Sequence, residues 1–113
     1  MRSAWLLRGG QVLGAADMAE TAREALRGFS GRPDPDIALV LERPPIAHTF
    51  GAAAPVDAAY LDHELRVTAI VRMDPRLAAW PWRRAHTVVQ VSAGTFARWD
   101  LQVGDCLELR IPA

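Results

Sequence analysis

A chain of 113 residues, half of them hydrophobic and 23% charged, is long enough to fold as one globular domain, residues 1–113, without metals or disulfides. Its thirteen basic and thirteen acidic residues cancel, so no net charge draws it to nucleic acid or to an anionic membrane. The lone cysteine, Cys106, excludes an intramolecular disulfide, and no run approaches the ~20 apolar residues of a membrane-spanning helix. The apolar run within Met1–Arg8 is too short for a signal peptide, so the chain reads as cytoplasmic.

In chain order, Ala4–Arg8 and Gln11–Gly14 are short apolar runs around Gly9-Gly10, a hairpin signal. Thr21-Ala22-Arg23-Glu24 fits a capping box that starts a short helix, about 20–28, with Gly28 at its C-terminal end. Two prolines and a glycine make Phe29–Pro35 a loop. Asp36–Glu42 is apolar on both faces and reads as a central strand. Val56–Leu61 is a further strand, turned at Asp62-His63 into Glu64–Met73. There Leu65, Val67, Ala69 and Val71 are expected on one face, with Glu64, Arg66, Thr68 and Arg72 on the other.

Residues 74–83 form a loop carrying Trp80 and Trp82 around Pro81. Ala85–Ser92 is a strand with Val89 and Val91 opposed to His86, Val88 and Gln90. A second short helix, about 93–99, has Ser92 as its expected N-cap and Phe96 and Trp99 on one buried face. Val103-Gly104-Asp105 is a turn into the last strand, 105–111, which puts Cys106 on the less apolar face. These elements make an α+β fold: a small, mixed, mostly antiparallel sheet of about seven strands, curled into a barrel-like core, with two short helices. No βαβ rhythm is visible.

The polar residues with chemical potential gather between His48 and Asp57. His48 can act as a general base or metal ligand with Asp57 as partner, or as a strand-end residue bonded to a loop carbonyl. No ligand spacing connects His48, His63 and His86, so no metal or cofactor is expected. Asp57 falls in an apolar strand, where a lone carboxylate is costly; it either caps backbone N–H groups of the preceding loop or pairs with an arginine such as Arg32. Thr49, Phe50 and Gly51 can line a pocket or simply build a tight turn with a core Phe. Trp80 and Trp82 can form a stacking platform or lid a small core.

The order Gly28-x-x-Gly31-Arg32, His48-Thr49-Phe50-Gly51, Pro55-Val56-Asp57, Ser92-Ala93-Gly94-Thr95, Trp99 and Gly104-Asp105 resembles the Domain of Unknown Function 192 family. It is most similar to an actinobacterial-type branch whose central motif reads roughly H-T-F-G-M-R-F-P-[IL]-D. The resemblance spans about residues 4–110. It implies a compact, strand-rich α+β fold with a small barrel-like core and no established activity. Many relatives begin with an export or membrane segment. Here Ala52-Ala53-Ala54 replace Met-Arg-Phe, which marks a divergent member and removes any anion site that arginine serves in relatives.

With no nucleophile elbow, phosphate loop or metal set, the sequence points to a non-enzymatic binding or accessory module rather than an enzyme. Its shallow pocket would lie between the 48–57 loop and the Trp80–Trp82 loop and involve Arg32, His48, Thr49, Phe50, Asp57, Trp80 and Trp82. The occupant would be a small ligand or a protein. The alternative is a small hydrolase-like enzyme built on His48 and Asp57.

Overall fold

The computed structural model describes residues 1–29, 34–42, 47–48, 54–74, 78–79 and 85–112. Seven strands form one sheet: β1 (Arg2–Arg8), β2 (Gln11–Met18), β3 (Ala38–Glu42), β5 (Val56–Leu61), β6 (Val67–Met73), β8 (Thr87–Ser92) and β9 (Glu108–Arg110). Two further strands, β4 (Ala47–His48) and β7 (Ala78–Ala79), pair with each other. The helices are α1 (Ala22–Arg27) and α2 (Thr95–Arg98). No helix among the described residues is long and apolar enough to cross a membrane.

The sheet runs β6-β5-β8-β3-β2-β1-β9, so β3 is central, as its two apolar faces require. All pairings are antiparallel except β2 with β3. That parallel pair is joined through α1, a single βαβ crossover where no such unit was expected. Its signal is weak for physical reasons: α1 has six residues, and the second half of β2 (Ala15-Ala16-Asp17-Met18) lacks period-two alternation. The capping box is present as expected. The Thr21 hydroxyl accepts from the Glu24 N–H at 3.1 Å, and the Glu24 carboxylate accepts from the Thr21 N–H at 3.3 Å.

The sheet is not closed into a barrel. Its edges, β6 and β9, meet through one isolated bridge, Arg66 to Cys106, and part beyond it. Two observations explain the departure. The central strands are apolar on both faces, so the protein has two core layers instead of one barrel interior. Val40, Ala59, Leu61, Val89 and Val91 pack on one side with Phe96, Leu101 and Leu107. Leu39, Leu41, Ala58, Tyr60 and Val88 pack on the other with Phe29, and Ala25 of α1 joins them. The gap between the edges is also partly occupied, because Phe96 of α2 and Leu101 behind it bury their side chains in the first layer.

Local chemistry overrides three more expectations. A register shift between Tyr60 and Leu61 pairs Tyr60 with Ala69 but Leu61 with Val67. Val67 and Leu65 therefore pack in the first layer, while Ala69 and Val71 pack in the second, and the four residues expected on one face are split. Ser92 does not cap α2: its hydroxyl donates to the Pro35 carbonyl at 2.7 Å, and Gly94, at φ 93°, takes the N-cap position. The last strand is shorter than expected, although Cys106 is exposed as its position implied. Gly14 shows how closely α2 approaches the sheet, since a Cβ there would lie 3.0 Å from the Trp99 ring.

Phe96→Ala is expected to lower unfolding free energy by about 3–5 kcal/mol in urea titrations. Leu26→Ala on α1, where the side chain is 73% exposed, is expected to change it by less than about 0.5 kcal/mol. Equal effects from the two would refute the role given to α2 in filling the gap.

Candidate functional site

All six residues of β5 are buried, and Asp57 is the only charged one among them. At 6% exposure it has lost most of its hydration, which must be replaced. Arg72, directly opposite on β6, supplies a two-pronged contact: Nε to Oδ1 at 2.8 Å and Nη2 to Oδ2 at 3.2 Å. The Gly94 N–H at the start of α2 donates to Oδ2 at 2.9 Å. Beside it, the Ala93 N–H donates to the Pro55 carbonyl at 3.3 Å, so two backbone groups of the α2 entry are tied to the start of β5.

Burial pushes the Asp57 carboxyl up, but the Arg72 guanidinium and the Gly94 N–H outweigh it and hold the group below the ordinary carboxylate range. The same contact holds Arg72 above its ordinary value. Both oxygens of Asp57 are thus committed to fixed donors, a poor starting point for a proton acceptor. Arg72 is different in exposure: its side chain is 58% exposed and presents guanidinium edge to solvent.

A groove of about 410 Å³ runs beside this pair, lined by Asp57, Ile70, Val71, Arg72, Phe96, Ala97 and Leu101. It is the seam between the free side of β6 and α2. The far end of α2 is held by a second cation. Arg8 on β1 donates from Nη2 to the Trp99 carbonyl at 2.7 Å and from Nη1 to the Asp100 carbonyl at 3.0 Å. It also pairs with Asp105 at 3.0 Å, whose carboxylate accepts the Gln102 N–H at 2.9 Å. Gly104-Asp105, expected to be only a turn, is therefore part of an anchor. Phe96 and Trp99 do share a face, with ring centroids 5.7 Å apart.

Of the residues selected from sequence, Asp57 lies in this groove. Its partner is Arg72, on the neighbouring strand, and its backbone donor comes from α2 rather than from the preceding loop. Arg32, Thr49, Phe50, Trp80 and Trp82 lie outside the described residues, and His48 is described by its backbone pairing. That pairing is antiparallel and sets Ala47 against Ala79 and His48 against Ala78, so the chain leaves β4 and β7 at opposite ends of the pair. Among the described residues, no cluster of His, Cys, Asp and Glu could hold a metal ion. Arg72, Gly94, Arg8 and Asp105 were not selected. A two-residue turn at Asp62-His63 would pair Leu61 with Glu64, and so Asp57 with Thr68. The wider turn, in which the Asp62 carboxylate accepts the Glu64 and Arg66 N–H groups at 2.9 and 3.0 Å, and the shifted register bring Arg72 opposite instead.

Asp57→Asn should lower stability at pH 7 by about 1–3 kcal/mol, the scale of hydrogen bonds to a charged group. Because folding depresses this carboxyl, its contribution is present above the unfolded value near 3.9 and fades as pH falls through the folded value. Denaturant titrations of both proteins should show a gap that is widest above about pH 5 and closes at lower pH. A gap unchanged between neutral and strongly acidic pH would show that the charge contributes nothing.

Comparison with curated proteins found no match. Two solved structures share the fold. One is described as a putative transcription regulator from Sinorhizobium meliloti 1021, with TM-score 0.73, 19% identity, and coverage of 95% of this chain and 92% of that one. The other is a protein of unknown function from Novosphingobium aromaticivorans DSM 12444, with TM-score 0.68, 19% identity, and coverage of 94% and 83%. At that identity the likeness establishes the fold alone. The family comparison is the more specific one: the model for DUF192, described as uncharacterized ACR, matches residues 6–109, and the chain belongs to that family.

Proposed function

We infer that this domain is a non-enzymatic binding or accessory module whose ligand surface joins the 48–57 loop, the 80–82 loop and the groove at Asp57 and Arg72. The observation that carries the reading is the Asp57–Arg72–Gly94 arrangement. It fixes one wall of a groove with an apolar floor and leaves the outer edge of the guanidinium free to meet a ligand. In this reading Arg32, His48, Thr49, Phe50, Trp80 and Trp82 supply the remaining contacts to a small ligand or a protein partner. Engagement of both Asp57 oxygens favours binding over the hydrolase alternative on His48 and Asp57.

The domain is read as a divergent member of the actinobacterial-type branch, in which Ala52-Ala53-Ala54 stand in place of Met-Arg-Phe. A cytoplasmic setting suits the exposed free thiol of Cys106. The neutral net charge gives no support to nucleic acid or membrane as the partner.

Hydrogen exchange of the 113-residue chain against panels of glycans and extended peptides tests the reading. A binding member should slow exchange in residues 48–57, in 78–82 and in 94–101 together, and Arg72→Ala should weaken that protection about tenfold or more. If every panel member leaves all three segments unchanged, the module has no ligand of these classes at this surface.

A further inference from the structure

The sheet has two edges, and they differ in how they are covered. Beside β6 lies α2, with Ile70, Val71 and Arg72 forming the groove with Phe96, Ala97 and Leu101. Beside β9, among the described residues, the neighbouring chain ends at the Arg66–Cys106 bridge and the Leu107 N–H to Leu65 carbonyl bond of 2.9 Å. Backbone groups alternate sides along a strand. Since Leu107 points its N–H away from β1, Leu109 points its own the same way, toward the outer side of β9. Ile111 is also 42% exposed, an unusual fraction for an isoleucine that follows a partly buried Leu109 by two positions.

We propose that this edge pairs with β9 of a second copy of the chain, antiparallel and centred on Leu109, to make a symmetric dimer with a continuous sheet. The argument is self-complementarity. An antiparallel pair centred on Leu109 sets Glu108 opposite Arg110 of the second copy, and Arg110 opposite its Glu108, on the same face. Leu109 of each copy can exchange both backbone hydrogen bonds with the other, while Leu107 keeps its own partner, Leu65, so the pairing spans Glu108–Arg110. Within one chain Arg110 already bonds Glu108, with Nη2 and Nε at 2.8 and 3.0 Å from Oε2, so the two charges stand on one face at the edge. Exposed pairs of this kind contribute little alone and are free to re-pair.

The same construction fails on β6: centring on Ile70 sets Thr68 against Arg72, with no complementary charge. Trp5, 44% exposed and opposite Arg110 on β1, extends the surface inward, with Leu7 and Val12 framing a hollow of about 180 Å³. Zero net charge leaves no long-range repulsion between copies.

Three paired residues per chain make a small interface, so half-association is expected at roughly 10–500 µM. Sedimentation of the full chain should show a reversible dimer in that range. Glu108→Arg and Arg110→Glu should each be monomeric alone, since like charges would then face each other across the pair. Mixed one to one, they should form a heterodimer, because every Arg would again face a Glu, and the double variant E108R/R110E should dimerise like the original. Circular dichroism melts confirm that each variant is folded. A chain that stays monomeric to about 1 mM overturns the proposal. So does a dimer indifferent to the single substitutions, or a mixture of the two that stays monomeric.

Discussion

The arrangement of this domain depends on one carboxylate in a strand almost wholly removed from water. β5 is buried from end to end, and Asp57 is its single charge. An unpaired carboxylate there would cost several kcal/mol, so the fold must deliver donors to it. It does so from two directions: Arg72 arrives across the β5–β6 pairing, and Gly94 arrives from the entry of α2. One side chain therefore couples the register of a hairpin to the position of a helix. Slip β6 by one residue and the guanidinium moves to the other face of the sheet. Place a side chain at Gly94, where φ is 93°, and the backbone that aims its N–H at Asp57 becomes strained.

A helix of four residues has no stability of its own, and α2 stands where it does because other elements hold it. Asp57 holds its start and Arg8 its end, the latter through the carbonyls of Trp99 and Asp100. Between these anchors Phe96 enters the first core layer and Trp99 closes on Gly14. Strand pairing could have closed the sheet into a barrel; here aromatic packing occupies part of the seam, and the groove is what remains open. The seam is thus a consequence of the same interactions that stabilise the fold.

What could be read from the residues was whatever local chemistry decides. The Gly9-Gly10 hairpin, the Thr21–Glu24 capping box, the doubly apolar β3 and the full extent of β5 all follow from patterns within a few positions. What escaped was set by pairing at a distance. β2 runs on through alanines that carry no alternation, and its parallel partner β3 follows in sequence only after α1 and the stretch holding Pro33 and Pro35. Ser92 has the chemistry of an N-cap, but the Pro35 carbonyl competes for its hydroxyl. Of the candidate site, Asp57 was identifiable by the expense of burying it. Its partner was not, because the wide turn at Asp62 and the extra residue Thr68 on β6 together decide whether Thr68 or Arg72 stands opposite.

The electrostatics of the groove restrict what it can recognise. A free guanidinium would attract any anion, but Arg72 is already neutralised by Asp57 at 2.8 Å, with the carboxylate held ionised across the physiological range. A ligand against this wall meets a dipole: a positive edge outward and a buried negative charge behind it. Under the proposed reading such a wall would orient a hydrogen-bond acceptor at short range rather than draw ligands in by net charge, with apolar contact supplied by the floor of Ile70, Phe96 and Leu101. Shape and apolar area would then decide selectivity more than charge. A neutral or zwitterionic partner with one well-placed acceptor suits that balance better than a phosphate or a polyanion.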